Sequence, residues 1–225
     1  MAAKKRTFSQ YLLYIILIPS VLLNIFLLTK PKPPVPTQTP SIGNKVIGVI
    51  DGDTLVFDGK TRLRLRHIDA PESEYCGGKE AKEYLEKLVV GKNVRIDEQI
   101  PDQYGRGMAM AYVGDTSVNE AMLKSGWVRY HSDVSTKTEK LKKVADEAKK
   151  NNLGLFGLCH SKENTQNPKC VIKGNIDKST DVRKYYVPNC AQYKFTIVEK
   201  DIGENWFCTE KEAKAAGYVK ADTCK

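Results

Sequence analysis

The chain has 225 residues, of which 41% are hydrophobic and 28% are charged. This composition can bury one core and a small addition, and it excludes a collagen-like or wholly disordered chain. The formal net charge is +9, yet residues 1–42 carry five basic and no acidic side chains, whereas residues 43–158 carry 19 basic and 18 acidic ones. The high pI therefore does not indicate a nucleic-acid-binding core, and function must be argued from particular residues.

The N-terminal segment predicts a membrane anchor. Residues 1–10 contain a basic run, and residues 11–29 are largely apolar. A helix over the apolar stretch measures roughly 28 Å, which matches the hydrocarbon thickness of a bilayer. No small-residue cleavage site follows it, so we expect an uncleaved, single-pass signal anchor with residues 1–10 in the cytoplasm and the rest of the chain outside; cleavage would give a secreted protein. Residues 30–42 are proline-rich and predict a stiff linker.

Short β-rich runs follow the linker at residues 46–50, 54–57 and 62–67. Asp-Gly pairs lie between them, which is typical of tight turns between antiparallel strands. In the third run, Leu63, Leu65 and His67 occupy the positions that face inward. The outward positions are Arg62, Arg64 and Arg66. We interpret Arg62 and Arg66 as a solvated basic face.

Two more strands and three helices complete this region. The strands are predicted at residues 94–96 and 108–113, and the helices at residues 78–90, 118–123 and 136–151. Five short strands with about three helices suit a mainly β (α+β) OB-fold barrel, whose open face often receives oligonucleotides. We therefore predict an OB-fold domain over residues 43–158 and a small cysteine-containing C-terminal domain over residues 159–225.

Three polar motifs could carry chemistry. They are D-G-D-T at residues 51–54, D-A-P-E at residues 69–72, and D-Q-Y-G-R-G at residues 102–107. Each motif alone is explained as a turn or loop, because short patterns often occur by chance. Their combination in this order is far more specific.

Residues 45–157, about half of the chain, resemble the thermonuclease (staphylococcal nuclease-like) family. The resemblance rests on D-G-D-T, R-x-x-x-x-D-x-P-E, D-x-Y-G-R-G, V-N-E-A and a closing G-L-F-G. It implies a calcium-dependent phosphodiesterase that cuts DNA and RNA with little sequence preference and leaves 3′-phosphate ends.

The same resemblance assigns roles to particular residues. It implies that Asp53, Asp69 and the backbone carbonyl of Ala70 bind one Ca²⁺ ion. It also implies that Glu72 is the general base. The implied phosphate contacts are Arg64, Arg106 and Tyr104.

The chemistry of these groups agrees with the implied roles. Carboxylate and carbonyl oxygens suit Ca²⁺ or Mg²⁺ rather than Zn²⁺, and the resemblance favours Ca²⁺ over Mg²⁺. Two guanidinium groups can hold phosphate oxygens and counter the charge that develops during attack on a phosphodiester. A carboxylate that accepts a proton from water contributes typically ~10²–10⁴ in rate. We therefore expect DNA and RNA as substrates.

Other ring-bearing side chains are interpreted as structural. His67 is expected to be a hydrogen-bonded imidazole rather than a metal ligand. Trp127 is expected in the core rather than stacked on a base. His131 and His160 receive no role.

The cysteines indicate disulfides in an oxidising compartment. They are Cys76, Cys159, Cys170, Cys190, Cys208 and Cys224, and none forms a C-x-x-C pair. We expect Cys76 to pair with Cys159, because the loop after Glu72 and the end of the last barrel helix can meet. The other four cysteines would then cross-link the tail.

The tail is similar to a small module appended to some bacterial secreted nucleases and other surface proteins. T-E-K-E at residues 209–212 predicts a capped helix over residues 210–216, ended by Gly217. The tail aromatics are interpreted as its core: Tyr185, Tyr186, Tyr193, Trp206 and Phe207. No ligand for the tail follows from the sequence.

Two alternatives stay open. In the first, the barrel is a non-catalytic nucleic-acid-binding OB-fold module displayed at the cell surface. In the second, the tail is the working part and the barrel is a spacer. The chain is expected to be a monomer whose partners are nucleic acid and the membrane, since the sequence indicates no protein partner.

Overall fold

The computed structural model describes residues 44–102 and 104–224, which belong to one compact unit. The predicted anchor at residues 11–29 and linker at residues 30–42 lie outside the described residues. None of the helices within the described ranges has the length and apolar character of a membrane span.

Five strands close into a small barrel. The first seven strands of the described chain are β1 (Asn44–Val49), β2 (Thr54–Phe57), β3 (Arg62–Leu65), β4 (Ile68–Asp69), β5 (Asn93–Pro101), β6 (Gly107–Val113) and β7 (Thr116–Ser117). The main sheet runs β3-β2-β1-β5-β6-β7, and a parallel pairing of β3 with β6 joins the sheet to itself. The β7 strand adds only a short antiparallel edge to β6. This ring confirms the predicted mainly β, OB-like architecture.

Four helices lie in the barrel region, and a fifth lies in the tail. Within the described residues they are α1 (Gly78–Val89), α2 (Val118–Ser125), α3 (Thr138–Lys150), α4 (Leu155–Leu158) and α5 (Glu210–Ala215). The described barrel region therefore has four helices rather than about three, because α4 adds a single turn after the predicted closing helix. Leu85 of α1, Met122 of α2 and Leu141 of α3 are almost fully buried in one core with the strand residues.

The third strand ends two residues earlier than predicted. His67 has a φ of 62°, a left-handed conformation that a β-strand cannot contain. Beyond this turn, β4 pairs with the short strand β8 (Arg129–Tyr130), and His131 N donates to His67 O. The chain therefore leaves the barrel at His67 and forms a separate two-stranded ladder that carries Asp69.

Arg66 is buried, so its interpretation as a solvated side chain is wrong. Only 4% of Arg66 is exposed; its Nε lies 2.6 Å from Asp133 Oδ2, and its terminal nitrogens donate to Glu98 O and Val134 O. The sequence alternation placed Arg66 outward correctly, but residues 131–135 cover that face. Arg62 is exposed, as expected.

The remaining strands are β9 (His160–Ser161), β10 (Ile172–Ile176), β11 (Arg183–Tyr186), β12 (Val198–Glu199), β13 (Trp206–Phe207) and β14 (Val219–Lys220). Four of them form a separate sheet in the tail, in the order β13-β10-β11-β14. Its small core includes Tyr185 and Phe207, as predicted. The other three predicted aromatics are only partly buried and are not part of that core: Tyr186, Tyr193 and Trp206. The side chain of Thr209 accepts from Glu212 N and caps α5, which confirms the predicted helix start.

Three disulfides cross-link the described chain. Cys76 pairs with Cys159, as predicted, and joins the loop before α1 to the end of α4. The tail bridges are Cys170–Cys208 and Cys190–Cys224. The first bridge therefore links the barrel loop next to Glu72 to the start of the tail.

Candidate active site

Arg64 brings together the carboxylates of the first two motifs. Its Nη2 atom lies 2.8 Å from Asp53 Oδ2 and 2.6 Å from Asp69 Oδ1. Asp53 lies in the turn between β1 and β2, Arg64 in β3 and Asp69 in β4. The Asp53 side chain is buried, whereas 56% of the Asp69 side chain is exposed. The fold thus gathers two acids around one positively charged nitrogen.

The surroundings of Asp53 disfavour its ionised form. Burial, and after it the negative charge of Asp51, raise the pKa of Asp53 to about 7. The positive charge of Arg64 and hydrogen bonds from Ala70 N and Thr54 Oγ1 oppose this shift. A further positive charge beside Asp53 would lower its pKa and favour the carboxylate.

The glycine of D-G-D-T allows the turn to approach its neighbours closely. A Cβ atom on Gly52 would lie 2.6 Å from Ala81 Cβ in α1 and 2.8 Å from Ala70 Cβ. A larger residue would therefore push the turn away from residue 70. Since Ala70 N lies 3.0 Å from Asp53 Oδ2, the glycine keeps the first acidic motif in contact with the second.

The third motif is a turn stabilised by Asp102. Asp102 Oδ1 accepts from Tyr104 N at 2.8 Å and from Arg106 N at 2.7 Å, and its Oδ2 accepts from Arg106 Nε at 2.6 Å. Desolvation would raise the pKa of Asp102, but the hydrogen bonds from Arg106 and Tyr104 outweigh it and hold the pKa below its usual value. Tyr104 is 74% exposed, and the Arg106 guanidinium carbon lies 5.3 Å from the centroid of its ring. Asp102 thus fixes an exposed arginine and an exposed phenol side by side.

One groove joins the second and third motifs. It has a volume of about 520 Å³, and its lining includes Arg64, Asp69, Asp102 and Arg106. The two predicted phosphate-binding arginines therefore face the same space. Asp53 and Glu72 are not among the residues that line this groove. Asp53 forms an ion pair with Arg64, which does line it.

Glu72 lies in the loop that leads from β4 to α1. Its side chain is exposed, and its backbone oxygen accepts from Tyr75 N at 2.9 Å. A Cβ on Gly78, the first residue of α1, would lie 2.2 Å from Glu72 O. The loop is therefore packed tightly against the start of α1, while the Glu72 carboxylate extends into solvent.

The groove also has a wall that the sequence did not predict. His131, Ser132 and Asp133 also line it. The hydrogen bond from Arg66 lowers the pKa of Asp133, so this acid stays ionised. No short motif contains both partners, since Arg66 and Asp133 are 67 residues apart in the chain.

The positions of His67 and Trp127 agree with their interpretation as structural side chains. His67 is almost fully buried, its Nε2 lies 2.7 Å from Ser135 Oγ, and burial lowers its pKa. Its Nδ1 is the buried side-chain polar atom in the described chain that has no hydrogen-bond partner. Trp127 is partly buried and packs against the barrel core.

The donor set at Arg64 fits a hard cation. Asp53 and Asp69 both supply carboxylate oxygens, and residue 70 adjoins them. The Arg64 nitrogen stands where a positive charge between the two acids would be expected. In the part of the chain that the structure describes, no three acidic, histidine or cysteine side chains form a metal-binding group. A cation held here would have two side-chain ligands at most, and further oxygens would have to come from the backbone and from water.

Comparison with known proteins identifies the barrel. Residues 62–157 match the model of a family described as staphylococcal nuclease homologue. An uncharacterised endonuclease of Escherichia coli O157:H7 is 36% identical over 106 residues, which cover 44% of this chain and 69% of that protein.

Two eukaryotic relatives share the same region. A protein named as a probable endonuclease of Yarrowia lipolytica is 37% identical over 109 residues, covering 42% of this chain and 48% of the relative. A protein named as a probable staphylococcal-like nuclease of Oryza sativa subsp. japonica is 40% identical over 101 residues, covering 45% of this chain and 30% of the relative. The chain therefore spans less than half the length of these two proteins.

Proposed function

The chain belongs to the staphylococcal nuclease homologue family, and we propose that it is a calcium-dependent nuclease that hydrolyses phosphodiester bonds of DNA and RNA with little sequence specificity. The observation that carries this proposal is the groove in which Arg64 and Arg106 lie together with Asp69. The names of the relatives, which describe endonucleases and nucleases, support it.

Arg64 and Arg106 are the proposed phosphate-binding residues. The planar guanidinium group can donate two parallel hydrogen bonds to phosphate oxygens, and its positive charge opposes the negative charge that develops in the transition state. Asp102 restrains Arg106 from behind, so less conformational freedom is lost when a phosphate binds. Tyr104, exposed beside Arg106, is proposed to contact a neighbouring phosphate of the strand.

Asp53, Asp69 and the carbonyl of Ala70 are the proposed calcium ligands. The shared contact of both acids with one cationic nitrogen, and the burial of Asp53 next to Asp51, support a site that binds positive charge. When bound, Ca²⁺ would supply positive charge to the phosphate oxygens during hydrolysis.

Glu72 is the proposed general base. Its carboxylate is exposed in the loop three residues after Asp69, so water can reach it. A base in this position would accept a proton from the attacking water, and the tight packing of its backbone against α1 would hold the loop in place.

A digestion assay on the full-length protein tests this function. Single-stranded DNA should be degraded with calcium present and should stay intact after addition of a calcium chelator. Glu72→Gln should lower the rate by about two to four orders of magnitude, because it removes the general base. Glu74→Gln is the matched control, since Glu74 is also exposed in the same loop. Normal turnover by Glu72→Gln would refute the role of Glu72.

A gel-shift experiment beside the digestion assay distinguishes a nuclease from a non-catalytic binding module. Retention of labelled DNA in a gel-shift experiment without any cleavage, in calcium or magnesium, would favour a non-catalytic OB-fold module. One observation favours that alternative. The Arg64 nitrogen contacts both Asp53 and Asp69 and so occupies the space between the two proposed side-chain ligands.

We further propose that the nuclease domain is held outside the cytoplasm by residues 11–29. Three disulfides in the described chain support an oxidising compartment, since such bonds are rare in the cytosol. After cell fractionation the full-length protein should remain with membranes in high salt and dissolve in detergent. A version lacking residues 1–42 should be soluble, and equal membrane association of both would contradict the anchor.

A further inference from the structure

The tail holds a barrel arginine through one buried and one partly buried acid. Arg129 Nε lies 2.6 Å from Asp201 Oδ2, and its Nη2 lies 2.9 Å from Asp201 Oδ1 and 3.0 Å from Glu199 Oε2. The Asp201 side chain is fully buried, and that of Arg129 is 19% exposed. Such a two-pronged contact fixes the plane of the guanidinium group as well as its position. We call Arg129, Glu199 and Asp201 the tail clamp.

The tail clamp holds the strand next to a proposed calcium ligand. Arg129 is in β8, which pairs with β4, and in this ladder Arg129 is the register partner of Asp69. Both strands have only two residues, and Asp69 lies two residues after the turn at His67. So short a ladder contributes few hydrogen bonds, and its position depends on what holds β8.

The same part of the tail also contacts the loop that carries Glu72. A short 3₁₀ helix (Lys200–Ile202) ends at Gly203, where a Cβ atom would lie 3.0 Å from the Tyr75 ring. Tyr75 in turn donates its backbone N–H to Glu72 O. Next to this contact, Lys200 N donates to the backbone oxygen of Cys159, whose side chain is bonded to Cys76.

We propose that the tail is a positioning element for the nuclease site, in which Asp201 and Glu199 hold Arg129 and thereby fix β4 and the calcium ligand Asp69. The inference rests on the proposed function, because it takes Asp69 as a ligand. Asp201 and Arg129 are positioning residues, since neither lines the groove. The tail would then be part of a working enzyme and not an independent module.

Asp201→Asn tests the proposal in the full-length protein. The matched control is Asp222→Asn, which breaks an ion pair with Lys184 at the exposed surface of the tail. Calcium binding is measured by calorimetric titration with CaCl₂ at a temperature where thermal melting shows each variant folded. Asp201→Asn should weaken calcium binding about tenfold, the lower end of the range for groups that orient metal ligands, and Asp222→Asn should leave it unchanged.

A double variant shows whether Asp201 acts through Arg129. If it does, Asp201→Asn combined with Arg129→Gln should bind calcium no more weakly than Arg129→Gln alone, because the remaining contact of Asp201, with His160 Nε2 at 2.8 Å, lies in β9 and not in β8. Additive losses would overturn this route and indicate a general loss of structure.

Hydrogen exchange gives a readout that needs no metal. Amides of residues 67–76 should exchange faster in Asp201→Asn than in the wild type, and those of Asp222→Asn should not change. Unchanged exchange and unchanged calcium affinity in Asp201→Asn would overturn the positioning role. A wild type that binds no calcium, but whose exchange still responds to Asp201→Asn, would instead contradict the proposed metal site and leave the positioning of β4 supported.

Discussion

Replacing Arg66 with glutamine should destabilise the barrel, because Arg66 joins the end of β3 to the loop that forms one wall of the groove. The guanidinium contacts Asp133, Glu98 O and Val134 O from a position that is only 4% exposed. Glutamine can replace one of these three contacts at most. The variant therefore leaves a negative charge and a backbone carbonyl without their donor.

The magnitude follows from the burial of both partners. Removing one partner of a buried ion pair costs about 3–5 kcal/mol, and the lower end applies because the Asp133 side chain is 18% exposed. For a folded unit of this size, 1 kcal/mol lowers Tm by about 2–4 °C. We therefore expect Arg66→Gln to lower Tm by roughly 6–12 °C.

Arg62→Gln is the matched control, since Arg62 lies in β3, four residues before Arg66, and is exposed to solvent. Thermal unfolding followed by circular dichroism compares the two variants with the wild type. Arg62→Gln should melt within about 1 °C of the wild type, as surface substitutions usually do. If Arg66→Gln melts as the control does, the buried ion pair contributes nothing and the reasoning is refuted.

Two further predictions concern the disulfide and a buried acid of the tail. The Cys76–Cys159 bridge joins residues 83 positions apart, so a double Cys76→Ser and Cys159→Ser variant should lose about 2–5 kcal/mol of stability in urea unfolding, and an unchanged midpoint would contradict this. Burial raises the pKa of Glu204 from 4.5 to about 7, so the folded protein binds this proton more tightly than the unfolded chain. The resulting stabilisation is present below the unfolded pKa and is lost as pH rises through about 7, by up to roughly 3 kcal/mol. Glu204→Gln cannot titrate and should lose less stability than the wild type between about pH 5 and about pH 8; an equal loss in both proteins would rule this out.

Much of the barrel and of its chemistry could be predicted from local sequence. The alternation of residues 62–65 and the Asp-Gly turns predicted three antiparallel strands, because side-chain period and turn geometry are local properties. The motif residues Asp53, Arg64 and Asp69 were expected to converge, and the structure brings their side chains together. Asp53 lies in the turn after β1, Arg64 in β3 and Asp69 in β4, so a correct strand pattern already places the three residues on neighbouring elements.

Other features depend on contacts that no local pattern encodes. The sequence placed Arg66 outward, but only the folded loop around Asp133 shows that this outward face is covered. Glu72 was expected beside the arginines, yet its side chain is exposed outside the lining of their groove.

From local sequence alone, the strand pattern, the acidic and basic motifs and the pairing of Cys76 with Cys159 could be predicted. The contact of the tail acids with Arg129, the ladder partner of Asp69, could be seen only in the folded chain, since these residues are far apart in the sequence. A sequence shows which charged side chains would need partners if they were buried. Which partners they contact depends on burial and distance in the folded chain.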